Sequence, residues 1–183
     1  MSETSGSPVS TEEGLRRVAA LVREVPDYPQ PGVLFRDLTP VLADAEAFTT
    51  VARELADRAG DVDLVVGVEA RGFLIGAAVA VIAGAGVVPV RKAGRLPRVA
   101  ASRSYALEYG QATLELPADT ITPGARAFVV DDVLATGGTA TAACELLTAA
   151  RATVVGFGAV LELAGLGGRA RLGEIPVHAL LTV

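Results

Sequence analysis

A chain of 183 residues that is 51% hydrophobic and 20% charged is long enough for one buried core and too apolar to stay unfolded. One cysteine, Cys144, and one histidine, His178, exclude an intramolecular disulfide framework, leave no ligand set for a Cys/His zinc site and disfavour a serine or cysteine hydrolase triad. The net charge of −5 weighs against wholesale nucleic-acid binding. Residues 91–103 nevertheless hold five basic side chains and no acidic one, a local patch suited to a small anionic ligand.

The opening MSETSGSPVS is polar and lacks the basic start and apolar stretch of a secretory signal. It reads as a flexible tail (1–10) before a single domain over 11–183. Helical periodicity follows over 11–24, and three prolines make 25–32 an extended, stiff segment. Residues 45–59 read as an amphipathic helix. Short apolar runs then alternate with helices: run 62–68, helix 72–83, runs 87–91 and 126–130, helix 139–150, run 153–161 and a closing run 176–183. This rhythm predicts βαβ units, an α/β fold with a doubly wound, mostly parallel sheet. Residues 95–116 break the rhythm and read as an antiparallel excursion or flap. The 19 uncharged residues 72–90 approach bilayer-spanning length, but their glycines and Pro89 split them into a buried helix and a strand. The expectation is a soluble, cytoplasmic protein with no membrane partner.

Ligands of such sheets bind beyond the carboxyl ends of the strands. The run AFVV leads into Asp131 and Asp132, and Ala135-Thr136-Gly137-Gly138-Thr139 then opens a helix. Glycines let the backbone approach an anion, the free amides of the helix start donate to it, and the threonines add hydroxyls. Two acids at the rim would repel a bare phosphate. They suit the hydroxyls of an attached sugar, as in a ribose 5-phosphate. No GxxxxGK[ST] is present, and GFGAVL (156–161) lacks the third glycine of a dinucleotide fingerprint and reads as a strand. Glu69-Ala70-Arg71-Gly72 follows another apolar run and precedes another helix, which makes a second anion cradle. Lys92, the only lysine, stands beside Arg91 at the end of the next strand, where a compact point charge has a use that a planar fork does not. Val33-Leu34-Phe35 after the prolines is either core or a slot for a flat base.

Residues 127–139, an apolar strand followed by two acids and TGGT, resemble the phosphoribosyl pyrophosphate (PRPP) motif of the type I phosphoribosyltransferases. PDYPQPGVLFRDLTPVL (26–42), GVEARGF (67–73) with VPVRKAGRLP (88–97), and SYALEYG (104–110) resemble, in order and spacing, the branch that uses adenine. The resemblance covers about residue 15 to the end. It implies a small N-terminal hood, a mobile flap, and transfer of the phosphoribosyl group of PRPP to adenine, giving AMP and pyrophosphate.

It implies further that Ala135 to Thr139 bind the 5-phosphate. Glu69, Ala70 and Arg71 would form a pyrophosphate loop with a cis Glu69–Ala70 bond, completed by Arg91, Lys92 and Arg95. Val33, Leu34, Phe35 and Arg71 would read the base, Glu108 would act as acid/base, and Tyr109 would belong to the closed flap. Asp131 and Asp132 would favour the positive charge that builds on the ribose. Magnesium is expected to arrive on PRPP without direct protein ligands, and Arg91 to reach into the partner's site of a homodimer. Relatives often carry lysine where this chain has Arg95. A 6-oxo purine would call for a donor, often a lysine after the phosphate loop, and residues 140–183 contain none. A PRPP sensor without turnover is the rival of a different class. A DNA-reading version would need an added basic domain, and an RNA-binding version a second basic face.

Overall fold

Proline placement and β-branching decide the first elements of the computed structural model, which describes residues 10–106 and 111–183. These form two compact units, one up to Val51 and one from Ala52 to Val183. In the first, Ser10 caps helix α1 (Thr11–Leu21) by accepting from the Glu13 amide at 3.3 Å. The helix stops three residues short of the expected 11–24. Val22 is already extended, and Arg23–Pro26 pairs as strand β1 with β2 (Leu34–Asp37) in an antiparallel ladder. The stretch 25–32 is extended only at its start. Beyond Pro26 it turns, with Asp27 and Gly32 at positive φ, a cis Tyr28–Pro29 bond, and Asp27 Oδ1 accepting from the Gly32 amide at 2.8 Å.

A short helix α2 (Thr39–Ala43), which the sequence periodicity does not predict, carries Pro40 in its first turn. Asp44 then accepts from the Ala47 amide at 2.9 Å to open α3 (Ala45–Ala59), whose bounds are those expected. Arg17 clasps the same Asp44 through Nε and Nη2 at 2.8 and 2.6 Å, and holds its carboxyl down at about 2. Gly14 of α1 leaves room for Thr50 of α3, since a Cβ there would come within 2.6 Å of the threonine hydroxyl.

The second unit carries a seven-stranded sheet. Its strands are β3 (Leu64–Val68), β4 (Gly86–Lys92), β5 (Val99–Ala106), β6 (Gln111–Pro117), β7 (Arg126–Leu134), β8 (Thr153–Glu162) and β9 (Val177–Thr182), in the order β5-β6-β4-β3-β7-β8-β9. The five strands from β4 to β9 are parallel, as the alternation predicted. The excursion 95–116 is the antiparallel pair β5 and β6, joined to β4 at Arg91↔Glu115 and Lys92↔Leu114.

Helices α4 (Arg71–Ala83) and α5 (Gly138–Ala149) leave β3 and β7 in opposite directions along the sheet. Right-handed crossovers therefore put them on opposite faces. Val66 and Val68 join the core that includes Ala142, Ala143 and Leu147 of α5, while Gly67 between them faces α4. A Cβ on Gly67 would meet the Gly72 carbonyl at 2.6 Å, so the α4 backbone lies directly on the sheet. GFGAVL lies within β8, where Gly156 and Gly158 accommodate the Phe128 ring. Residues 72–90 are a helix and a strand parted by Gly84 at φ 67, and no described helix is long and apolar enough to cross a membrane.

Candidate active site

The order β4-β3-β7-β8 reverses direction between β3 and β7, and that switch point opens a crevice beyond the strand ends. Both loops singled out in the sequence lie there. The run 126–130 continues as strand through Leu134, because Val133 and Leu134 remain in register with Leu161 and Glu162 of β8. Asp131 and Asp132 are thus strand residues pointing to opposite faces, 9% and 7% exposed. Asp131 accepts from the Asp132 amide at 2.8 Å and lines a cavity of about 70 Å³ with residues 133–140. Burial pushes its carboxyl well above the usual range, and the neighbouring charge of Asp132 adds to the effect.

Gly137 takes φ 80 before α5, and among the described residues no side chain caps that helix. Neither acid serves as a cap, so the first amides of α5 remain available to an anion. Thr139 of the same turn donates its hydroxyl to Tyr105 of β5 at 3.1 Å.

The second loop leaves β3 through a cis Glu69–Ala70 bond into α4, again with no side-chain cap among the described residues. Its Arg71 Nε lies 2.8 Å from Asp132 Oδ2, an ion pair rather than an aligned hydrogen bond, which links the two loops across the switch point. The Glu69 carboxylate is 8% exposed and gathers the basic cluster. It accepts from the Lys92 amide at 3.1 Å and faces Arg91 Nε at 3.4 Å and Arg95 Nη1 at 3.1 Å. Arg91 also donates to the Arg95 carbonyl at 3.1 Å and stands 5.9 Å over the Phe73 ring. Glu69 thus holds the cations, and donors to an anion come from the backbone and the bases around it.

Asp131, Asp132, Ala135 to Thr139, Glu69, Ala70, Arg71, Arg91, Lys92 and Arg95 accordingly cluster around the ends of β3, β4 and β7. Val33, Leu34 and Phe35 belong to the first unit. There Leu34 is 46% exposed, which removes it from the core, and Phe35 meets Tyr28 edge-on at 5.2 Å. Glu108 and Tyr109 lie outside the described residues. No group of three or more His, Cys, Asp or Glu side chains among the described residues is placed to hold a metal ion. Sequence patterns do not single out Gly168, which packs on residues 135–137, or the buried Glu162. The glycine pair in AGLGGR (164–169) is the one available signal.

Residues 41–172 match the phosphoribosyl transferase domain, the class that this sheet and its paired cradles define. An adenine phosphoribosyltransferase from Salinispora tropica is 55% identical over 100% of both chains. The structure of the Rhodothermus marinus adenine phosphoribosyltransferase superposes with a TM-score of 0.87 at 43% identity, covering 93% of this chain and 98% of that one. That of the Saccharomyces cerevisiae enzyme, complexed with an imino-altritol bisphosphate and adenine, gives 0.87 at 35% identity, covering 93% and 99%. The chain belongs to the adenine phosphoribosyltransferases.

Proposed function

We infer that this chain transfers the 5-phosphoribosyl group of PRPP to adenine, releasing AMP and pyrophosphate, a purine salvage step. The observation that carries the reading is the pair of uncapped helix starts on either side of one switch point, with two buried carboxylates between them. A pentose with a phosphate at one end and a pyrophosphate at the other has that charge pattern.

The amides and hydroxyls of residues 135–139 take the 5-phosphate, and Asp131 and Asp132 accept from the ribose hydroxyls. The α4 amides, Arg71, Lys92 and Arg95 take the pyrophosphate. Substitution breaks the bond from the anomeric carbon to a pyrophosphate oxygen and forms one to an imidazole nitrogen of adenine. The ribose ring gains positive charge on the way, which the buried acid pair favours, while the basic cluster favours the departing anion. The adenine proton goes to Glu108, and Tyr109 belongs to the closed flap. Val33, Leu34 and Phe35 read the base, together with Arg71.

Magnesium belongs to the same reading. Asp132 Oδ2, buried and without an aligned hydrogen bond among the described residues, suits the rim of a magnesium diphosphate, an ion that keeps waters and substrate oxygens as ligands. Bound there, it would neutralise charge on the leaving group.

A homodimer is supported by α4, which is apolar on all sides. Its Leu74, Val81 and Ile82, with Val87 of β4, are 56%, 82%, 46% and 49% exposed. A second copy over that face would put Arg91 of one protomer within reach of the partner. The same reading places the enzyme in the cytoplasm.

The test is AMP and pyrophosphate formation from PRPP with adenine, hypoxanthine, guanine, xanthine or orotate in parallel. A strong preference for adenine, abolished by chelating magnesium, is expected. Turnover with another base would discard the role of Leu34 and Phe35, and saturable PRPP binding without turnover would favour a sensor.

A further inference from the structure

Residues 163–171 carry no role in the reaction described above, yet they form the back of the phosphate loop. From Glu162 at the end of β8 the chain makes a 3-10 turn over Ala164–Leu166, and Gly167 at φ 69 leads into a single helical turn, α6 (Gly168–Arg171). This brings Gly168 onto residues 135–137. A Cβ on Gly168 would overlap the Ala135 carbonyl oxygen and stand 3.0 Å from the Gly137 amide nitrogen. A Cβ on Gly137 would in turn lie 2.7 Å from the Gly168 carbonyl. Two stretches of backbone therefore touch with no side chain between them, and any shift of one displaces the other.

Besides backbone bonds such as the Ala164 amide donating to the Val183 carbonyl at 2.9 Å, an ion pair ties the outer stretch to the end of β8. Arg169 donates from Nε to Glu162 Oε1 at 3.0 Å, from Nη2 to Oε2 at 2.5 Å, and from Nη1 to the Val177 carbonyl at 2.8 Å. Glu162 is 5% exposed and stands in register with Leu134, the last residue of β7 before the phosphate loop. The Leu163 amide donates to the Leu134 carbonyl at 2.9 Å. The carboxylate is therefore anchored to the strand end that launches the loop, and the guanidinium fork carries that anchorage to Gly168. A fork matched to a carboxylate fixes orientation as well as distance, which a lysine in its place would not do.

We propose that Glu162 and Arg169 are positioning residues that hold Gly168 against the phosphate loop and so set the spacing of its amides. Affinity for the phosphate end of the substrate then depends on an ion pair that does not touch it. The proposal rests on the reading that residues 135–139 take the 5-phosphate of PRPP.

The experiment measures ribose 5-phosphate and pyrophosphate binding by calorimetry, with KM and kcat, on the intact protein and on Arg169→Lys, Gly168→Ala and the charge-neutral pair Glu162→Gln with Arg169→Met. Thermal melts accompany each variant, and Arg169→Lys keeps a charge opposite Glu162 if the others fold poorly. The Kd for ribose 5-phosphate and the KM for PRPP should rise about tenfold in Arg169→Lys, because small displacements of positioned donors are costly. The Kd for pyrophosphate and the KM for adenine should stay within twofold, and kcat should change less than KM. Unchanged ribose 5-phosphate binding in folded Arg169→Lys and Gly168→Ala would overturn the proposal. Equal weakening of both ligands would also overturn it, since that is what a general loss of structure produces. Failure of the unaltered protein to bind ribose 5-phosphate would instead overturn the reading of the loop beneath it.

Discussion

The loop at the end of β3 and the loop at the end of β7 each open a helix with no side-chain cap among the described residues, yet they are held in place by different means. The β7 loop is fixed by backbone against backbone, with Gly137 at positive φ pressed on Gly168. The β3 loop is organised by side-chain charge, with Glu69 collecting Arg91, Arg95 and the Lys92 amide. A rigid backbone cradle suits a group that stays attached throughout the reaction. Exposed side chains on a shared carboxylate suit a group that must depart, because they can exchange one anion for another at little cost.

The comparison is tested most severely at the acids between the loops. Asp131→Asn with Asp132→Asn should lower turnover by roughly 10²–10³-fold or more, since preorganised groups at developing charge have effects of that order. Stability should move the other way for Asp131→Asn alone. Because burial raises its carboxyl above the ordinary value, the folded chain binds that proton more tightly than the unfolded chain does. Its contribution to stability is fully present below the unfolded pKa and is lost as pH rises through the folded one. The variant should therefore melt above the unaltered protein at pH 8, with the gap closing towards pH 4. A variant less stable at pH 8 would show that the charged form is paired well enough to offset its burial.

Gly137→Ala probes the backbone cradle. It strains a left-handed residue and pushes a methyl group onto the Gly168 carbonyl, so KM for PRPP should rise by about tenfold or more with pyrophosphate affinity little changed. The smallest effect is expected at Arg95→Ala. Its side chain is 57% exposed and one of two guanidinium groups on Glu69, so pyrophosphate should bind only about threefold more weakly. That difference should fade in high salt, and ribose 5-phosphate should be unaffected. A large, salt-insensitive loss would show the charged cradle to be as rigid as the other.

The elements most legible in the sequence were those whose periodicity and ends are local. The helix 45–59 has the bounds of α3, and GFGAVL lies in β8 as its apolar run implied. The helix 11–24 overran because Arg23 and Glu24 continue a helical pattern, while their pairing with Asp37 and Arg36 depends on a turn that brings distant residues together. The strand 126–130 was cut short at the two acids, since composition alone argues against burying a carboxylate pair. The ladder with β8 and the ion pair to Arg71 make that burial tolerable.

By itself, then, the sequence determined the alternation of strand and helix, the two glycine-bearing strand-to-helix loops and the basic stretch after β4. Each of these is a pattern among near neighbours, governed by backbone preference and local charge. Only the tertiary structure decided that Asp132 meets Arg71, that Glu69 gathers Arg91 and Arg95, and that Gly168 packs on residues 135–137 with the Glu162–Arg169 pair behind it. Those contacts join residues far apart in the chain, and strand order at the switch point, not sequence proximity, makes them neighbours.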